Sequence, residues 1–98
     1  MPAIVALFDV PGMSSGQYDN TIKELESIGE GDPRGRLHHV AFSKKSGWFV
    51  VDVWESEELL NRFAQKLIPI LQKNGVTPPS VETYPVHKII KGESTEVL

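Results

Sequence analysis

The chain has 98 residues, 40% of them hydrophobic and 23% charged, with a net charge of −3. That is enough for one domain with one modest core, and the scattered charge leaves no basic stripe for nucleic acid. The absence of cysteine excludes disulfides, thiolate metal sites and a cysteine nucleophile, and fits a reducing compartment. Ala3 to Val10 is an apolar run of strand length that Pro11-Gly12 breaks. Its apolar part lacks a basic flank and is too short for a leader or a membrane span, so the expectation is a cytoplasmic protein with neither membrane nor nucleic acid as partner. Ser14 opens a helix, and Gln17 three residues on completes a capping box. Tyr18, Ile22, Leu25 and Ile28 follow as one apolar stripe. Gly29 to Gly35, with three glycines and a proline, is a loop.

Arg36 to Ser43 reads as a second strand, Lys44 to Gly47 as a tight turn, and Trp48 to Glu55 as a third strand. Ser56 caps a second helix, with Glu57 and Glu58 well placed against its dipole. Its predicted buried face is Leu59, Leu60, Phe63, Leu67, Ile70 and Leu71, and Pro69 should kink it near Gln65. Gly75 and Pro78-Pro79 end it. Val81 to Ile90 is the last strand, and Pro85 within it argues for an edge strand or a bulge.

The order β-α-β-β-α-β predicts a ferredoxin-like α+β domain over residues 1–90, with a four-stranded antiparallel sheet and a polar tail at 91–98. Two helices cover one face of such a sheet. The third strand is apolar on both: Phe49, Val51 and Val53 on one side, Trp48, Val50 and Trp54 on the other. A soluble monomer avoids so broad an apolar patch, and a second copy of the sheet is the simplest cover. The expected assembly is a homodimeric α/β barrel.

Several segments bear the stamp of a known group: GMSSGQYD (Gly12 to Asp19), HVAFSKKSGWFVVDVWESEELLNRF (His39 to Phe63), the spacing of Leu67, Pro69 and Leu71, and YPVH (Tyr84 to His87). With them the chain resembles the dimeric α/β-barrel proteins grouped with antibiotic-biosynthesis monooxygenases, closest to a subgroup of small uncharacterised proteins. The superfamily spans monooxygenases, haem-degrading enzymes, isomerases and proteins of no known reaction, so the resemblance implies fold more than activity. Members with monooxygenase activity often carry a histidine about nine residues after the tryptophan that ends the third strand. This chain has Phe63 there, which counts against cofactor-free oxygenation and haem degradation.

Asp52 lies between Val50 and Trp54 on one side of its strand, where a core favours a hydrophobe. With a four-residue turn and Gly47 left-handed, Ser43 faces Trp48, His39 faces Asp52 and Leu37 faces Trp54. A carboxylate beside an imidazole fixes its tautomer and raises its basicity, so His39 and Asp52 are the candidate catalytic pair. The plainer alternative is a polar pair that holds strand register. A three-residue turn with a bulge at Gly47 would bring His38 to Asp52 instead. Trp54, Phe63 and Tyr18 are the candidate ligand-binding walls, suited to a planar organic ligand, or else core packing. Trp48, after a turn glycine, should be partly exposed.

No metal is expected. His87 ends an edge strand without local partners, and His38 and His39 point to opposite faces. Gly29 to Gly35 is no phosphate cradle, since it neither follows a strand nor precedes a helix, but it could act as a lid. The reading is therefore a cofactor-free protein that binds a small aromatic or apolar molecule between sheet and helices, with proton-transfer or oxygenase-type chemistry as the activity such a site would support. The alternative is a non-catalytic dimeric binding or interaction module. An enzyme should have a closed cavity with the pair at its end; a module should have that space filled by side chains.

Overall fold

The computed structural model describes residues 3–93. Six elements follow in chain order: β1 (Ile4–Pro11), α1 (Ser15–Ser27), β2 (Arg36–Lys44), β3 (Gly47–Trp54), α2 (Glu57–Lys73) and β4 (Val81–Pro85). All strand pairs are antiparallel, and the sheet order is β2-β3-β1-β4. This is the ferredoxin-like βαββαβ fold. Of the polar tail predicted at 91–98, residues 94–98 lie outside the described part.

Both helices begin where their caps dictate. Ser14 accepts from the Gln17 amide while Gln17 Oε1 accepts from the Ser14 amide, so two orphan donors at the start of α1 are met. Ser56 accepts from the Leu59 amide at the start of α2. α2 runs on through Pro69, which lies at an exposed position, so the Gln65 carbonyl it leaves without an N–H can turn to water.

The hairpin between β2 and β3 is tighter than predicted: Lys44 pairs with Gly47 and only Lys45-Ser46 lies outside the ladder. Parity survives, because Ser43 still faces Trp48. Gly47 has φ +147°, and a Cβ there would sit 2.5 Å from both the Gly12 amide nitrogen and the Val10 carbonyl oxygen. Only glycine lets the hairpin close so tightly against the end of β1.

Three expectations need correction. Ile28 does not join the buried stripe of α1; it is 55% exposed, because α1 has ended at Ser27 and the chain is turning into the loop. The last strand stops at Pro85, not Ile90: β4 pairs only with β1, and Pro85 already faces Ile4, the first residue of that strand. His87 therefore lies beyond the strand and is exposed. Leu37 does not face Trp54. A bulge between Arg36 and His38 leaves Leu37 unpaired and 48% exposed, and sets Arg36 opposite Trp54.

The core lies between the sheet and the two helices. Ala6, Phe8 and Val10 of β1, Val50 and Trp54 of β3, Leu25 of α1, and Leu60, Phe63 and Leu71 of α2 form it. The opposite face carries Val5, Leu7, Val40, Phe42, Phe49, Val51 and Val53, with Val40 and Phe42 56% and 43% exposed. Phe42 and Phe49 stack there at 5.4 Å.

Candidate functional site

Asp52 sits on the inner face of a central strand, flanked by His39 on β2 and by the small Ala6 on β1. It is 2% exposed, and a carboxylate so deep needs donors. It has two. His39 Nδ1 lies 2.6 Å from Oδ1, and Trp54 Nε1 donates to Oδ2 at 3.1 Å. With Asp52 a carboxylate that can only accept, the neutral His39 imidazole carries its proton on Nδ1 and turns a lone pair outward on Nε2. The Tyr18 hydroxyl lies 2.6 Å from that Nε2 and donates to it. The result is a continuous hydrogen-bonded chain, Tyr18 to His39 to Asp52, braced by Trp54.

Tyr18 comes from α1, one turn after the capping box, on the face that looks at the sheet. Its ring stacks on Trp48 at 5.0 Å, and lies nearly parallel to the His39 imidazole, with ring centres 6.1 Å apart. Burial raises its pKa above the ordinary 10.0; the Arg36 guanidinium opposes that shift, and the charges of Asp52 and Asp19 reinforce it. The phenol thus keeps its proton at neutral pH and can donate a hydrogen bond.

The chain of hydrogen bonds ends at a cavity of about 60 Å³ between the sheet and both helices. Tyr18, His39, Asp52, Phe63, Trp48 and Arg36 lie in its wall, and the rest is apolar apart from Thr21, with Phe8, Val10, Met13 and Leu67 prominent. Pockets for drug-sized ligands run to roughly 300–1,000 Å³, so side chains fill most of the space that such a pocket would need. A crevice of about 430 Å³ lies between the loop at Glu30 to Arg34 and α2, and Phe63 borders both spaces.

His39 and Asp52 therefore meet, in the first of the two registers considered; His38 points away and is exposed. Phe63 and Tyr18 line the cavity. Trp54 does not: it is 0% exposed, packs on Phe63 at 5.3 Å, and serves Asp52 from behind the wall. Three features escaped the residue patterns. Tyr18 was legible as a wall, but not as the hydroxyl that meets His39. Trp48 lines the cavity with its indole N–H buried and without a partner among the described residues. Arg36 reaches the wall only because of the bulge, which nothing in its local sequence announces.

No group of three or more His, Asp or Glu side chains among the described residues is placed to hold a metal. An axial ligand for haem finds little here: both ring nitrogens of His39 are engaged, and Phe63 has no lone pair to offer. Nor is any helix of the described residues long and apolar enough to cross a membrane.

Similar folds occur among solved structures. A monooxygenase from the gene ActVA-Orf6 of Streptomyces coelicolor, in complex with nanaomycin D, superposes with a TM-score of 0.57 at 15% identity over 94% of this chain and 93% of that one. The fold is that of the antibiotic biosynthesis monooxygenase-like proteins. A candidate antibiotic biosynthesis monooxygenase of Deinococcus radiodurans matches at TM-score 0.56 and 11% identity over 96% of this chain and all (100%) of that one. MhuD, as a point mutant with two manganese protoporphyrin IX bound per active site, matches at 0.54 and 20% identity over 94% and 100% of the two chains. No family model and no curated protein matches the sequence.

Proposed function

We propose that the protein binds a small aromatic or apolar molecule in this cavity and withdraws a proton from it, in reactions of the oxygenase or proton-transfer type. The observation that carries this reading is the chain from Tyr18 through His39 to Asp52, which ends at an apolar cavity. As the substrate proton passes to the Tyr18 oxygen, the Tyr18 proton passes to His39 Nε2. The imidazolium so formed is held by the Asp52 carboxylate. Trp54 keeps Asp52 oriented by occupying its second oxygen. The carbanion or enolate left on an aromatic substrate is electron-rich, and dioxygen is its natural acceptor. Solved neighbours of this fold include a monooxygenase bound to nanaomycin D and a protein with porphyrins in its active site, which supports a planar ligand class.

The working unit in this proposal is a homodimer. The apolar outer face of the sheet, with Val40 and Phe42 at its exposed edge, is the surface that a second copy would cover.

One observation favours the non-catalytic alternative, a dimeric binding or interaction module: a cavity of about 60 Å³ leaves little room for substrate. Dioxygen uptake and deuterium exchange with a panel of hydroxynaphthalenes and anthrones separate the two. The enzyme reading expects turnover that falls by about 10²-fold or more in Tyr18→Phe and in Asp52→Asn. Equal rates in wild type and Tyr18→Phe would end it.

A further inference from the structure

The cavity wall includes a cation that no carboxylate among the described residues pairs with. Arg36 is half-buried, its guanidinium lies 6.0 Å from the centre of the Phe63 ring, and one of its nitrogens donates to the Gly31 carbonyl at 3.1 Å. A guanidinium has five N–H donors, so most of this fork is unspent. The carboxylates around it are committed elsewhere. Asp52 has both oxygens taken by His39 and Trp54, and Glu30 is paired with Lys66. No carboxylate of the described residues pairs with Arg36. A second lining residue, Trp48, also has a buried donor without a partner. Buried donors are rarely left unmet, and the Trp48 indole N–H is one; the Arg36 fork stands at the solvent-exposed rim of the same wall, with donors to spare and no carboxylate partner among the described residues.

The bulge at Leu37 makes this arrangement. In a regular ladder Arg36 would point to the outer face; the extra residue turns it inward, beside Trp54 and toward the cavity. Its charge reaches Tyr18, where it opposes the effect of burial on the phenol.

We propose that the cavity takes an organic anion, a carboxylate carried on a small apolar or aromatic skeleton, with Arg36 as the group that anchors the carboxylate. The proposal rests on the small-molecule reading above for the location of the ligand, and on Arg36 and Trp48 for its chemistry. A guanidinium grips a carboxylate with two parallel hydrogen bonds, which neither a neutral ligand nor a lysine reproduces. The apolar remainder of the wall disfavours a hydrated inorganic anion. An aromatic ring needs more than the present 60 Å³, and Phe63 is the partition between this space and the crevice of about 430 Å³ beneath the loop. In the proposed complex the ligand displaces the Phe63 ring toward that crevice, with the Arg36 guanidinium 6.0 Å from the ring centre.

The test uses the whole protein and three probes: benzoate, its uncharged isostere benzamide, and inorganic phosphate. Binding is followed by amide and indole chemical shifts and by calorimetry at low salt. The expected result is benzoate binding that perturbs the Trp48 indole and residues of the cavity wall, at least about tenfold tighter than benzamide, with phosphate inert. Arg36→Gln should remove that preference by weakening benzoate far more than benzamide, and Arg36→Lys should restore it only in part. Equal affinity for benzoate and benzamide in the wild type overturns the anion proposal and leaves the small-molecule reading standing. Binding of phosphate as tight as benzoate also overturns it. Failure of both benzoate and benzamide to perturb the cavity overturns both readings. The wild-type comparison needs no variant, so a poorly folding Arg36→Gln does not blunt it.

Discussion

The two faces of the sheet are built from the same four strands and differ in kind. The inner face is covered by α1 and α2, yet at its centre it holds a carboxylate, an imidazole and a phenol in sequence. The outer face has no covering element among the described residues, yet is apolar, with Phe42 stacked on Phe49 and Val40 more than half exposed. Simple partition would put charge on the uncovered side and hydrophobes on the covered one. In the function proposed above each departure has a use beyond stability: a ligand for the inner polar chain, and a second copy of the sheet for the outer apolar surface.

Mutations can pull the two faces apart. The largest effect should come from the outer one. Phe42→Glu is expected to convert a species of about twice 10.9 kDa into one of a single chain mass, read by sedimentation or light scattering at micromolar concentration. A wild type that is already a monomer at that concentration would remove the use assigned to the outer face. Next comes Asp52→Asn, which keeps the volume but removes the charge that His39 and Trp54 were placed to meet. It should lower stability by about 1–3 kcal/mol in chemical denaturation without changing the chain mass. An unchanged midpoint would mean that the polar chain contributes nothing to the fold.

Tyr18→Phe should be milder still, about 1 kcal/mol, because it deletes one hydroxyl while the ring keeps its stack on Trp48. Its effect on chemistry, by contrast, should be among the largest, and that split between fold and turnover is what marks the inner face as functional. The smallest effect is one of pH. Burial raises the Tyr18 pKa in the fold above 10.0, so the folded state prefers the neutral phenol. That contribution is complete below the unfolded value of about 10 and is lost as pH rises through the folded value. Denaturation midpoints between about pH 9 and about pH 11 should therefore fall more steeply for the wild type than for Tyr18→Phe. Parallel curves would place the phenol outside the buried chain.

Much of this was legible from local pattern, because local rules act over a few residues. Ser14 with Gln17, and Ser56 ahead of Leu59, place both helix starts through hydrogen bonds that span three positions. Strand side chains alternate, so once Ser43 faced Trp48 the meeting of His39 with Asp52 followed by counting, and a carboxylate among hydrophobes marked the spot. The order of elements and the sidedness of β3 sufficed for the fold and for the apolar outer surface.

What tertiary structure alone decided lies where distant elements meet. Tyr18 reaches His39 across 21 residues of chain because of how α1 rotates against the sheet, which depends on its packing and not on its own stripe. Trp54 falls behind Phe63 and not beside the ligand space for the same reason. β4 ends at Pro85, opposite the first residue of β1, with one further backbone bond from the Val86 amide to the Ala3 carbonyl, a fact about another strand. The bulge at Leu37 reverses the direction of Arg36 and so gives the cavity its charge. Alternation predicts direction only while the ladder is regular, and an inserted residue costs too little, and signals too little, to be read before the strands are paired.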